Sequence, residues 1–292
     1  MSAMEIAIVT GTSTGIGYAA ALHLARNGYR VFAGMRNLSK ADPIRKAAGE
    51  EKLPLEVIEL DVTSGPSVEQ AFAAVGAAGP VDVLVNNAGI GGATPLELTP
   101  EEEHRRMMET NYFGAIRCIQ AVLPSMRERR RGTIVNVSSI AGLVAIPNQA
   151  AYSASKWALE GAAEALAHEV ARFGVRIVNI EPGVVMTHIF ENSAETTRYD
   201  KTSPYQRIMR RNGKFYSAGF RDPSTSEDVA VKILEAIRSP EYRFRWPVGK
   251  DAVGLIGGRR KMRDEEWIGL GGDVSDEEYN RTFLEQFSIA LK

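Results

Sequence analysis

Tyr152 and Lys156 lie four residues apart in a run, Ala151 to Phe173, patterned as a long helix. That spacing puts both on one helical face. A phenol ordinarily titrates at about 10 and is a poor base at neutral pH. A neighbouring ammonium favours the phenolate and is expected to lower that value. Such a pair exchanges a proton with an alcohol or a carbonyl oxygen. An isolated pair is common on helices, so context decides. Val137-Ser138-Ser139 ends a strand-like run upstream of Tyr152. A serine hydroxyl there could hold a substrate oxygen while charge develops on it. Ser139 is the choice for that role, and Ser138 for support of the backbone. Asn111 interrupts a helical run. An interior Asn is mildly unfavourable, which predicts a local bond, a kink or a water site, and a water chain from Lys156 to solvent is one use for it.

The elements that must position these groups alternate along the chain. A strand-like run at Glu5–Thr10 meets Gly11-Thr12-Ser13-Thr14-Gly15-Ile16-Gly17. A helix from Tyr18 to Asn27 follows, closed by Gly28. Further strands are expected at Arg30–Gly34, Leu55–Leu60, Val81–Val85, Gly132–Val137 and Val175–Ile180. Helices are expected at Val68–Ala78, Ala151–Phe173 and Thr225–Ile237. Another starts at Thr99 as cap, with Pro100 at its first position and acids in its first turn, and runs towards Met126 with a bend. Arg127 to Arg131 reads as a basic connector. The strands are almost continuously apolar, as in a sheet covered on both faces. The pattern predicts an α/β chain: a doubly wound, Rossmann-like parallel sheet with helices on both faces, one domain over residues 1–292. Residues 188–222, polar and aromatic, break the rhythm and are expected to form a substrate-loop insertion, a lid. Residues 253–292 are read as a Gly-rich C-terminal extension with a Lys/Arg run at Arg259, Arg260, Lys261 and Arg263.

Gly11, Gly15 and Gly17 follow a strand and open a helix. Glycines there permit a tight turn and close approach of phosphate, so that a pyrophosphate rests on free backbone N–H groups. Ser13 and Thr14 add hydroxyls to this loop. An acid at the end of the second strand would hold an adenosine ribose and select NAD. The run is instead Ala33-Gly34-Met35-Arg36-Asn37, and Arg36 could meet a 2′-phosphate. NADP is therefore favoured, with NAD the alternative and a solvent-facing Arg36 the plain reading. Asp61 could accept from an adenine amine, with Val62 beside the ring. Asn86-Asn87-Ala88-Gly89 lets backbone approach a ribose, while a structural role for the two amides stays equally open.

Composition narrows the classes. Thirty-five basic residues balance 36 acidic ones, a net charge of -1, so no polyelectrolyte face for nucleic acid is expected. One cysteine, Cys118, excludes an internal disulfide framework, and four scattered histidines offer no metal-ligand spacing. No secretory signal or membrane span is read, so the expectation is a cytoplasmic protein without integral membrane contact.

Together these pieces resemble the classical short-chain dehydrogenase/reductase family. The matching residues are Thr10-Gly11-x-x-x-Gly15-Ile16-Gly17, Asp61, Asn86-Asn87-Ala88-Gly89, Asn111, Ser139, Tyr152-x-x-x-Lys156, Asn179, and Pro182-Gly183 followed by Thr187. The resemblance implies a seven-stranded sheet, Tyr152 as general acid/base and Ser139 as its oxyanion partner. It implies that Lys156 also grips the nicotinamide ribose hydroxyls and that Asn111 completes a proton relay. Val185 and Thr187 would sit by the nicotinamide carboxamide, with Pro182-Gly183 shaping that wall. A homodimer or homotetramer is implied as well. The strings Val31 to Asn37 and Arg245 to Ala252 are similar to the branch around estradiol 17-beta-dehydrogenase type 1 and retinol dehydrogenases. That branch implies a bulky apolar alcohol or ketone, steroid- or terpenoid-like.

Pocket candidates follow Ser139: Leu143, Val144, Ile146, then Asn148 or Gln149. Met186, His188, Ile189 and Phe190 begin the lid, and Tyr205, Phe215, Tyr216 and Phe220 could continue it or simply form a small loop core. The expected activity is an NAD(P)-dependent, metal-free interconversion of a secondary alcohol and a ketone. The alternatives are a nucleotide-sensing binding protein without turnover, against which the intact Ser139, Tyr152 and Lys156 argue, and a related epimerase or dehydratase.

Overall fold

Runs such as Ile6-Ala7-Ile8-Val9 leave no polar side for water, so both faces of their sheet must be covered. The computed structural model describes residues 4–187 and 202–292 and shows how. Its strands are β1 (Ile6–Thr10), β2 (Arg30–Met35), β3 (Leu55–Glu59), β4 (Val81–Asn86), β5 (Gly132–Val137), β6 (Val175–Pro182) and β7 (Arg245–Val248). They form one seven-stranded sheet in the order β3-β2-β1-β4-β5-β6-β7, parallel throughout. The helices of the first half are α1 (Gly15–Arg26), α2 (Asp42–Glu50), α3 (Gly65–Ala78), α4 (Glu101–Met108), α5 (Gly114–Arg129) and α6 (Ala150–Val170). Beyond β6 come α7 (Gln206–Gly219), α8 (Ser226–Arg238), α9 (Lys250–Arg259), α10 (Asp264–Gly269) and α11 (Asp276–Phe287).

Successive strand side chains point to opposite faces, and two apolar layers result. Ile8, Leu84, Ile134 and Ile177 pack with residues of α3, α5 and α6. Val9, Val85, Val135 and Val178 pack with residues of α1, α2 and α8. The strand order reverses between β1 and β4, which opens a crevice at their carboxyl ends.

Three local expectations change. Thr99 does not cap: its hydroxyl donates to the Thr94 and Pro95 carbonyls, and Pro100 precedes the first helical residue. The expected bend is a π-helical turn at Glu109–Phe113, between α4 and α5, with Asn111 at its centre. The connector expected at 127–131 is mostly helix, since α5 runs to Arg129 before Arg130 turns left-handed.

The last third holds more structure than its composition suggests. Residues 206–219, inside the stretch expected as a loop, form α7, which buries Met209 and Phe215. The extension folds back as α9, α10 and α11, and a third apolar cluster joins Ile140, Val144, Ile146 and Phe215 to Leu255, Tyr279, Phe283 and Phe287. Glycine makes the close approach there: a Cβ on Gly258 would collide with the Gln286 carbonyl and the Phe287 ring. Arg211 of α7 is buried too. It pairs with Asp276 at 3.0 Å, donates to the Leu270 carbonyl at 3.0 Å and lies 4.3 Å from the Tyr279 ring centre. No described helix is long and apolar enough to cross a membrane.

Candidate active site

The glycine loop lines one side of the crevice. Gly11 (φ 71°) and Gly15 (φ 63°) take left-handed conformations that glycine adopts without steric cost. A Cβ on Gly17 would strike the Gly11 carbonyl and the Asn87 amide. Asn87 Nδ2 donates to the carbonyls of Thr10 and Gly11 at 2.9 and 3.1 Å, and Thr10 Oγ1 accepts from the backbone N–H of Asn87 and Ala88. Asn87 therefore acts structurally, by holding the loop in place. Thr14 stands before α1 without a side-chain cap, and no acid occupies the first turn. These features leave the helix N-terminus suited to an anionic pyrophosphate. Thr187 approaches Gly15 from the opposite wall.

Further along the crevice, Arg36 is exposed just beyond β2. Asp61 Oδ1 accepts from the Thr63 N–H and hydroxyl at 2.9 and 2.7 Å. Val62, beside it, is buried against Gly114.

At the other end the candidate reacting groups meet. Ser139, at the end of the β5 segment, accepts from the Ala141 N–H at 3.1 Å, and its hydroxyl also bonds the Tyr152 phenol. Lys156 Nζ donates to the Val137 carbonyl at 2.9 Å and sits 5.9 Å from the Tyr152 ring centre. Asn111 Oδ1 accepts from the Ile90 N–H at 2.8 Å. Its Nδ2 donates to the Ile90 carbonyl and to Ser155 Oγ, both at 2.9 Å. Gly89 is flanked by Asn111 Oδ1 and Lys156 Nζ. The four expected catalytic residues thus surround one end of the crevice.

The electrostatics differ from the expectation that Lys156 would lower the phenol. Burial pushes the Tyr152 phenol up, and the Ser139 hydrogen bond offsets this only in part. Burial also pulls Lys156 down to about 8, against an opposing pull from Glu160. Lys156 Nζ is turned to a backbone carbonyl, and burial, which penalises both charges, is the largest influence on each group.

A sequence profile described as short chain dehydrogenase matches residues 5–198. This chain belongs to that family. Human retinol dehydrogenase 8 is 43% identical over 256 residues, spanning 83% of this chain and 81% of the relative. Mouse 17-beta-hydroxysteroid dehydrogenase type 1 is 34% identical over 252 residues, spanning 82% and 72%. Among solved structures, an actinorhodin polyketide ketoreductase variant with NADPH superposes with a TM-score of 0.74 at 30% identity, covering 85% of this chain and 97% of that one. The chemistry of this short-chain dehydrogenase is therefore NAD(P)-dependent oxidoreduction.

Several groups in this short-chain dehydrogenase were not legible as site residues. Ser155 bridges Asn111 to the Tyr152 carbonyl, to which it donates at 2.7 Å; its place beside Lys156, one helical turn from Tyr152, was the available signal. Asp251 accepts from the Val184 N–H at 2.7 Å and so fixes the Pro182-Gly183 wall. The acid in a first helical turn after Gly249 was the hint. Of the residues expected in the pocket or lid, Gln149 bonds the Tyr216 hydroxyl, and burial pushes the Tyr216 phenol up. Val144, Ile146 and Phe215 belong to the third cluster, Leu143 packs against it, and Met186 is exposed. His188, Ile189 and Phe190 lie outside the described residues. A separate cavity of about 330 Å³ lies at the amino ends of β1, β4 and β5, lined by Glu5, Tyr29, Asp82, Arg131 and Arg238 among others. Arg131 there pairs with Glu5 and Asp82, far from the reacting groups. Cys118 is buried, its thiol pushed up to about 12. Among the described residues no acid, His or Cys cluster could hold a metal.

Proposed function

We propose that this protein is an NADP-preferring dehydrogenase that interconverts a secondary alcohol and a ketone on a bulky apolar substrate. The observation that carries the reading is the meeting of the Ser139 hydroxyl and the Tyr152 phenol beside Lys156, at the end of a glycine-lined crevice. The crevice suits a dinucleotide, with Gly11, Ser13, Thr14, Gly15, Ile16 and Gly17 around the pyrophosphate and Asp61 towards the adenine. Asn87, Ala88 and Gly89 would flank the ribose, and Pro182, Gly183, Val185 and Thr187 the nicotinamide. A bound nicotinamide supplies or accepts the hydride. Ser139 holds the carbonyl oxygen by a hydrogen bond, Tyr152 gives that oxygen its proton, and the reverse direction returns the proton to Tyr152. Lys156 and Asn111 stand behind the phenol as its route to reprotonation.

Arg36, exposed where an acid would favour NAD, supports the 2′-phosphate preference. The apolar substrate is supported by the apolar candidates Leu143, Ile146 and exposed Met186, with Gln149 the polar one, and by relatives named for retinol and for a 17-beta-hydroxysteroid. The lid would be the 188–222 segment, His188 and Phe190 included, backed by the C-terminal helices. A homodimer or homotetramer through the small-residue face of α6 completes the proposal; light scattering checks it. The deciding experiment follows nicotinamide absorbance with a panel of apolar ketones and secondary alcohols. Tyr152→Phe should lose about 10²- to 10⁴-fold in kcat while retaining NADPH binding by fluorescence. Equal turnover in the folded variant would reject the assignment.

A further inference from the structure

Behind the Tyr152–Lys156 face of α6 runs a buried polar row that the proposed chemistry does not use. Asn86, Asn136 and Asn179 stand in register on β4, β5 and β6. Asn86 Nδ2 donates to Asn136 Oδ1, and Asn136 Nδ2 to Asn179 Oδ1, each at 3.0 Å. Asn179 Nδ2 then donates to Glu160 Oε2 at 2.7 Å. Arg245, in register with Asn179 on β7, donates from Nε to the same oxygen at 3.1 Å. Glu160 is 3% exposed and Lys156 5%, and they lie one helical turn apart. Gly142 lets both approach the end of β5: a Cβ there would lie 3.0 Å from Glu160 Cγ and 3.3 Å from Lys156 Cβ.

Burying a carboxylate is costly unless it is paired and hydrogen-bonded. Asn179 and Arg245 meet that need at Oε2 alone: Oε1 has no hydrogen-bond partner, and Arg245 is shared with the exposed Glu164 at 2.7 Å. One guanidinium shared between two carboxylates leaves a net negative charge beside the lysine. We propose that Glu160 is a positioning residue of the proton-transfer centre: its buried carboxylate, anchored by Asn179 and Arg245, keeps the Lys156 side chain in the ammonium form. The catalytic consequence rests on the reading of Tyr152 and Lys156 as the reacting pair; the electrostatic part does not.

The groups facing this corner are Tyr152 and Glu160 on α6, Glu181 on β6, and Arg243 and Arg245 at β7. Burial and the nearby Glu160 push Glu181 up to about 9, so it is neutral at pH 7 and adds no charge. Burial pulls Lys156 down, and Glu160 acts against that pull.

The test is a lysine titration by carbon NMR on the full chain without nucleotide, with Lys156→Met assigning the signal. Glu160→Gln should lower the Lys156 midpoint by about one pH unit. Glu160→Asp should restore most of it, and the surface control Glu164→Gln should leave it in place. The basic limb of the kcat profile should move with the midpoint. An unchanged midpoint in folded Glu160→Gln protein overturns the inference. Should that variant not fold, Arg245→Met removes the counter-charge and should raise the midpoint; a fixed midpoint there is equally fatal. A midpoint that moves while the kcat limb stays put sinks the catalytic reading of Lys156 and leaves the electrostatic influence of Glu160 on it standing.

Discussion

Lys156 should cost the protein stability, and Lys156→Met should recover it. The side chain is 5% exposed, and burial pulls its titration from 10.5 to about 8. Each pH unit corresponds to about 1.4 kcal/mol, so keeping this charge in the folded state costs about 3 kcal/mol at neutral pH. Methionine removes the charge and fills a similar volume. It also leaves the Val137 carbonyl without its 2.9 Å donor, a loss of about 1 kcal/mol. The variant should therefore be more stable by about 2 kcal/mol at pH 7, equivalent to about 3 °C in Tm for a chain of this length. The pH dependence carries the sharper signature. Between about 8 and 10.5 the unfolded wild-type chain holds a lysine proton that the folded chain has released, so wild-type stability rises with pH across that window. The variant gains nothing there. Its advantage should be full below pH 8 and vanish towards pH 10.5. Denaturant unfolding of nucleotide-free protein at neutral and alkaline pH measures both. A destabilisation of the same size at both would show that the buried ammonium carries no such cost, and the reasoning from burial to titration would fail.

Arg36→Ala should weaken NADPH by about 10- to 100-fold, the worth of a charge-assisted phosphate contact, with little effect on NADH. Calorimetry decides, and equal losses for both would remove Arg36 from cofactor selection. Phe287→Ala should destabilise the protein by about 3–5 kcal/mol, because the ring is fully buried among Trp267, Phe283 and Gly258. Thermal unfolding measures this, and an unchanged Tm would mean that the C-terminal helices are not integral to the fold.

The sheet, and the spacing of the candidate reacting groups, could be read from the chain alone, because both are written in short-range pattern. Continuous branched runs require a sheet covered on both faces, and the spacing of Tyr152 and Lys156 fixes a shared helical face wherever the helix goes. Asn111 also announced itself locally, as a poor helix residue, and it sits in the π-helical turn. Only the tertiary structure decided the rest, since it depends on contacts between residues far apart in the chain. Arg210, Arg211 and Lys214 made α7 read as polar loop until Asp276 and the Leu270 carbonyl supplied partners for a buried arginine. Two glycines of the tail, Gly254 and Gly258, are contact points for Phe287, a use that composition does not reveal. Lys156 was expected to ease the ionisation of Tyr152, yet burial acts on both groups, and burial is a property no pair spacing encodes. Glu160 gave no local signal because its partners, Asn179 and Arg245, come from two other strands that the folded sheet sets side by side.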